Sequence, residues 1–216
     1  MKVLLVSAHP LPDSFVAAVR AAAVSGLHAG GHEVDVLDLD GERFEPCLSL
    51  EEWRAHRPGI AAKPADVKAH AARLQWAEAV VLVYPTWWGG QPAIMKGWLD
   101  RVWVEGVAYH LPPGARRVRP RLRNIRHLVA VTTHGSPKRI NAVEGEPGKR
   151  VVLRQMRALC HPRARTRWLA LYGVDRSDEA QRLAFIRRIE RSMANLEAIT
   201  GARGRLRPAA GRRGRT

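Results

Sequence analysis

The chain has little cysteine, few acidic residues and no long apolar run, and each shortage closes off a class of protein. Cys47 and Cys160 are its two cysteines and form no CxxC pair, which excludes a disulfide scaffold, a thioredoxin-type motif and a cysteine zinc site. The longest apolar stretches, such as Ala79 to Tyr84, reach six residues, whereas a membrane helix needs about 20. The first apolar run stops at His9-Pro10, short of a signal peptide, so a cytoplasmic protein without a membrane span is expected. The dinucleotide pattern GxGxxG, the P-loop pattern, the GxSxG elbow and the HExxH zinc helix are all missing. His28 and His32 have HxxxH spacing, but Gly30-Gly31 breaks the helix that would align them, so no metal site is expected.

Lysine and arginine outnumber aspartate and glutamate by 36 to 20, a net charge of +16. The excess is local. Six arginines and no acid lie between Pro113 and Arg126, and six more arginines without an acid lie between Gly201 and Thr216. Those 30 residues carry +12 and the other 186 carry +4, so the body is nearly balanced. Residues 201–216 read as a disordered Arg-rich tail after a domain of residues 1–200. With no aromatics interleaved among these arginines, no specific nucleic-acid partner is expected.

With 216 residues, 46% of them apolar and 26% charged, the chain supports one sizeable core. Lys2 to Val6 is a short continuous apolar run, as in a strand buried on both faces. Phe15, Val16, Val19, Ala23 and Leu27 follow at helical spacing, with Ser14 as N-cap and Gly30-Gly31 as the stop. Further strands are read at Glu33 to Leu37, Ala79 to Tyr84, His127 to Thr133 and Thr166 to Tyr172. Helices are read at Ala65 to Trp76, Pro92 to Trp103, Gly148 to Leu159 and Asp178 to Ile199, the last with Leu183, Ile186, Ile189, Met193, Leu196 and Ile199 inward. Asp38 to Lys63 reads as irregular, broken by Pro46, Pro58 and Gly59. Five strands alternating with helices predict an α/β three-layer sandwich: a five-stranded parallel sheet of flavodoxin-like order 2-1-3-4-5, with helices on both faces. Ligands of such sheets bind beyond the carboxyl ends of the strands, beside the switch between strands 1 and 3.

Three loops leave those ends. Ser7 to Phe15 puts His9 and Ser14 at the opening amides of a helix, a setting that suits a phosphate; an ordinary capped helix reads equally well. Tyr84 to Pro92 (YPTWWGGQP) sets Trp87 and Trp88 before two glycines, directly after a buried strand. Neighbouring side chains of an extended loop diverge, so one ring at most enters the core and the other stands at the ligand edge. Val131 to Pro137 (VTTHGSP) adds hydroxyls, His134 and Gly135. A phosphate cradle, aromatic walls and polar rim groups without a nucleophile triad point to a cofactor that brings the chemistry, and a flavin fits.

The run YPTWWGGQPAIMKGWLDRV from Tyr84 to Val102, with His9, Ser14, Phe15 and the Thr132-Thr133-x-Gly135 turn, resembles the NAD(P)H:quinone oxidoreductase (DT-diaphorase-like) branch of the flavodoxin-like flavoproteins. The likeness spans roughly residues 2 to 197. It implies a homodimer that takes a hydride from NAD(P)H onto a flavin and passes two electrons to a quinone-like acceptor by ping-pong turnover. By position, His9, Ser14 and Phe15 would hold the flavin phosphates and ribityl chain. Pro85, Thr86, Trp87, Trp88 and Gly89 would line its ring, and Thr132, Thr133, His134 and Gly135 would close the opposite rim. FAD is the expected flavin and FMN the alternative, because Asp38 to Lys63 would reach an adenine as in FAD-using members.

The likeness has gaps. Val16 stands where the family often has Asn, and Ile140 and Glu146 stand where the best-known members have a Tyr and a His beside the reduced flavin. Either His134 takes their place, which makes it the candidate catalytic residue, or the reduced flavin is left to stabilisation by solvent. Two other readings remain open at this stage: a flavodoxin-like electron carrier, and a cofactor-less protein that binds nucleic acid or an anionic surface.

Overall fold

The computed structural model describes residues 1–55 and 64–197. Seven strands occur among them: β1 (Lys2–Ser7), β2 (Glu33–Asp38), β3 (Ala79–Pro85), β4 (Tyr109–His110), β5 (Arg119–Pro120), β6 (His127–His134) and β7 (Arg165–Tyr172). Five of these form one parallel sheet in the order β2-β1-β3-β6-β7, which is the expected order with the small β4-β5 pair set aside. The registers Val3↔Ala79, Leu82↔Ala130 and Ala130↔Trp168 tie its centre together. Central strands β3 and β6 are buried along their whole length, whereas β2 and β7 at the edges are only partly covered. That difference is why β3 reads as an unbroken apolar run and β6 as one from Leu128 to Val131.

Helices cover both faces. They are α1 (Phe15–Ala29), α2 (Leu50–Ala55), α3 (Ala65–Trp76), α4 (Ala93–Val102), α5 (Lys138–Val143), α6 (Pro147–Arg150), α7 (Arg157–Leu159) and α8 (Glu179–Ala194). Successive strand residues point to opposite faces, so Val3 and Leu5 pack under α1 and α8 with Val19, Leu27, Phe185 and Ile189. Leu4 and Val6 pack on the other side with Leu74, Met95, Trp98 and Val102. Ser14 caps α1 by accepting from the Ala17 amide at 3.1 Å, as expected. Asp178 and Gln181 form a reciprocal capping box at the start of α8.

Several expectations need correcting. The stretch from Asp38 is not wholly irregular, because α2 lies within it. Ser49 Oγ accepts from the Glu52 amide while Glu52 Oε2 accepts from the Ser49 amide, a capping box that starts the helix. Leu183 faces solvent, and Phe185 takes the buried place on α8. The segment from Pro113 to Arg126 contains β5, which pairs antiparallel with β4. The helix expected at Gly148 to Leu159 begins at Pro147 and widens into a π-helix over Val151–Met156 between α6 and α7. Residues 201–216, expected to be a separate tail, and Ile199 lie outside the described residues. Among the described residues no helix is long and apolar enough to cross a membrane, and no cluster of metal-ligating side chains occurs.

Candidate functional site

The carboxyl ends of β1, β3 and β6 open into two connected hollows. The larger, about 990 Å³, lies between Thr86 to Gly89, His134 to Pro137, Asn141, Pro147 and the turn Asp175-Arg176. The smaller, about 420 Å³, lies over His9, Ser14, Phe15, Pro85, Thr133 and Arg182. Thr86, Trp87, Gly135 and Asp175 line both, so the space is continuous from the head of α1 to the mouth beside Trp88.

The β3 loop is a tight turn. Trp87 and Gly90 exchange backbone hydrogen bonds at 3.1 and 2.9 Å, and both central residues have positive φ, 50° at Trp88 and 73° at Gly89. Such turns favour Asn-Gly, and a bulky residue with positive φ is strained. In this turn the Trp88 indole stands wholly in solvent at 103% exposure, with Trp87 half-exposed at 49%. Neither ring enters the core, although one was allowed to. Backbone strain of this kind gathers at ligand sites.

Behind the turn, the Gly148 amide donates to the Gly89 carbonyl at 3.0 Å, and Gln91 Nε2 donates to the Gly148 carbonyl at 3.1 Å. No side chain fits at position 148. A Cβ there would lie 2.9 Å from the Gly89 carbonyl oxygen and 3.0 Å from Gly90 Cα. Helix α6 is thereby clamped onto the tryptophan turn.

His134 is buried on the floor of the larger hollow. Its Nε2 lies 3.3 Å from Thr86 Oγ1, and its ring stacks on Tyr172 at 4.5 Å between centroids and 22° between planes. Its Nδ1 is buried without a hydrogen-bond partner among the described residues. Desolvation lowers its pKa and the cations of Lys138 and Lys149 lower it further, outweighing Asn141 and Glu146, so the ring is neutral at pH 7. The Tyr172 hydroxyl donates to Glu146 Oε1 at 2.8 Å, and Lys138 and Lys149 also bond that carboxylate. Burial alone would raise the Glu146 pKa, but these three donors outweigh it and hold the group at about 2. Glu146 itself has a φ of 47°, an unusual backbone for a residue with a side chain.

Of the residues singled out from the sequence, His9, Ser14, Phe15, Pro85, Thr86, Trp87, Trp88, Gly89, Thr133, His134 and Gly135 line one or both hollows. Thr132 does not. It is buried beneath them, its hydroxyl 2.8 Å from Thr86 Oγ1, and so positions Thr86 from below. Asp175, Arg176 and Arg182 were missed. The Gly173 amide donates to the Ser136 carbonyl at 3.1 Å and folds the end of β7 across the site. Arg182 is fixed there by Ser177 Oγ at 2.9 Å and lies over the Phe15 ring at 5.9 Å. The fifth strand end was a signal in the sequence, but it lies at the sheet edge, away from the switch point.

A family model described as a flavodoxin-like fold matches residues 1–196. The chain belongs to that family. This flavodoxin-like chain is 32% identical over 152 residues to NAD(P)H dehydrogenase (quinone) 1 of Rattus norvegicus, covering 62% of this chain and 54% of that one. It is 35% identical over 126 residues to ribosyldihydronicotinamide dehydrogenase (quinone) of the same species, covering 51% and 54%. The chain thus spans about half the length of these curated relatives. It also superposes on the NAD(P)H:quinone oxidoreductase from Methanothermobacter marburgensis with a TM-score of 0.77 and 29% identity, covering 91% of this chain and 97% of that one.

Proposed function

We propose that this chain is a flavin-dependent NAD(P)H oxidoreductase that reduces a quinone-like acceptor by two electrons, working as a homodimer. The observation that carries this reading is the strained Trp87 to Gly90 turn at the mouth of a cleft whose far end is a phosphate-type cradle. The residues fit a flavin. Amides at the head of α1 lack helical acceptors, and Arg182 and His9 stand beside them, which suits a phosphate. Gly135 lies against Asp175, whose Oδ2 would be 2.6 Å from a Cβ at this position, so a side chain here would displace the Asp175 carboxylate from the cleft wall. The names of the relatives above supply the class of donor and acceptor.

His9, Ser14, Phe15 and Arg182 would hold the flavin tail; Pro85, Thr86, Trp87, Trp88 and Gly89 would line its ring, with Thr133 and Gly135 opposite. When bound, the flavin supplies the two-electron step that no side chain here can perform. His134, anchored by Thr86 and Tyr172 on the floor of the cleft, would hold a proton where an acceptor oxygen needs a donor.

Heat-denatured pure protein is expected to release one flavin per chain, from particles with the mass of two chains by light scattering. NAD(P)H should bleach the native protein without oxygen, and a quinone should restore its colour. A colourless protein that takes up neither FAD nor FMN on reconstitution ends the reading. His134→Gln is expected to lower quinone turnover about a hundredfold or more with flavin content unchanged. Because burial lowers the imidazole pKa, any change in the parent rate caused by its second proton should fall on the acid side of an ordinary histidine's range. An acid limb that survives in His134→Gln would remove His134 from this role.

A further inference from the structure

Beyond the cleft wall lies a second hollow, of about 300 Å³, that the proposed chemistry does not use. The loop from Asn141 to Pro147 separates the two: Asn141, Glu144 and Pro147 face the cleft, while Ala142, Gly145 and Glu146 face the hollow. Its other side is built from Lys149, Arg150, Leu153 and Arg154 on the helix that begins with α6.

The charge in this hollow is unbalanced. Glu146 is its acidic lining residue, and that carboxylate is already bonded by Lys138, Lys149 and the Tyr172 hydroxyl. Arg150 and Arg154 make no ion pair among the described residues and are exposed. The Arg150 guanidinium folds over Gly145, where a Cβ would lie 3.4 Å from its Nη2. Two guanidinium forks beside the apolar Leu153 side chain suit a phosphate monoester next to a flat ring, because Arg matches phosphate oxygens bidentately. A 2′-phosphate on an adenosine is such a group, and an Arg commonly receives it in NADP-binding folds.

We propose that the hollow between Gly145 and Arg154 receives the adenosine 2′-phosphate of the reductant, so that NADPH is preferred to NADH. This rests on the reductase reading above, since it names which nicotinamide donor that site takes. The loop shared with the cleft supports it: Asn141, Glu144 and Pro147 line the cleft, and Ala142, Gly145 and Glu146 line the hollow, so the two sites share one wall.

Calorimetric titration of the holoprotein with 2′,5′-ADP, ADP and 5′-AMP tests the site without turnover. 2′,5′-ADP is expected to bind at least tenfold more tightly than 5′-AMP, and Arg150→Ala with Arg154→Ala should abolish that difference. A tenfold difference corresponds to about 1.4 kcal/mol. In turnover, the double variant should lose at least tenfold more kcat/KM with NADPH than with NADH, and Arg154→Lys should keep part of the preference. Equal binding of 2′,5′-ADP and 5′-AMP to the parent overturns the proposal. So does equal weakening of NADPH and NADH in the variant, which would assign the hollow to the diphosphate. If neither nucleotide reduces the flavin, the reductase reading fails, and the 2′,5′-ADP titration still decides the phosphate site on its own.

Discussion

Gly148→Val is expected to weaken flavin binding about a hundredfold, roughly 2.7 kcal/mol, while leaving the sheet intact. The added side chain meets backbone, not the yielding end of a side chain: the Gly89 carbonyl oxygen 2.9 Å and Gly90 Cα 3.0 Å from its first carbon. The tryptophan turn has nowhere to relax. Its Trp88-Gly89 centre already occupies the positive-φ region, and both of its closing hydrogen bonds depend on that shape. Relief therefore comes from moving α6 away, which breaks the Gly148 to Gly89 and Gln91 to Gly148 hydrogen bonds and opens the cleft wall. Fluorescence titration of the apoprotein with FMN and with FAD measures the loss, and an unchanged far-UV circular dichroism spectrum shows that folding survived. A folded variant with parental affinity would mean that the turn does not hold the ring.

Glu52→Gln acts on stability instead. Glu52 and Arg101 are both buried, with Arg101 Nε 2.8 Å from Glu52 Oε1. Breaking a buried pair from one side costs about 3–5 kcal/mol, because the partner charge stays buried. Arg101 also keeps Asp66 at 3.0 Å and donates to the Glu45 carbonyl at 2.5 Å, which sets the expected loss at the lower end, about 3 kcal/mol. For a domain of this size that amounts to a fall in Tm of roughly 6–12 °C, to be read by scanning calorimetry of the holoprotein. A fall of less than about 2 °C would show that water reaches the pair and screens it.

That same ion pair explains why part of the chain was hard to read. Helix α2 turns Leu50 and Trp53 outward and buries a glutamate, the reverse of the apolar pattern that marks a helix face. Its Ser49 and Glu52 capping box lies between Pro46 and Pro58, and a helix this short has too few turns to show a periodic face. On α8, Leu183-Ile186-Ile189-Met193 and Phe185-Ile189-Met193-Leu196 are equally regular ladders, and only packing against α1 selects the second. The inner strands β1, β3 and β6 were plain because burial on both faces makes their centres continuously apolar: Val3 to Val6, Ala79 to Tyr84 and Leu128 to Val131. The site was legible for a related reason: strand order alone says which three loops converge. Asp175 and Arg182 were not, since they reach the cleft only through the hydrogen bond from Gly173 to Ser136.

The π-helical stretch settles a mismatch of periods. Gly148, Val152, Met156 and Cys160 are all buried, a stripe repeating every four residues. On a straight α-helix such a stripe slips about 40° around the axis at each step, and three steps would carry Cys160 well away from the line of Gly148. Widening the middle turns cancels the slip. The helix thus keeps one buried edge from the cleft wall to the bridge between Cys160 and Leu122 at the opposite end of the sheet. The tryptophan turn is buttressed by a rod footed in the base of the molecule.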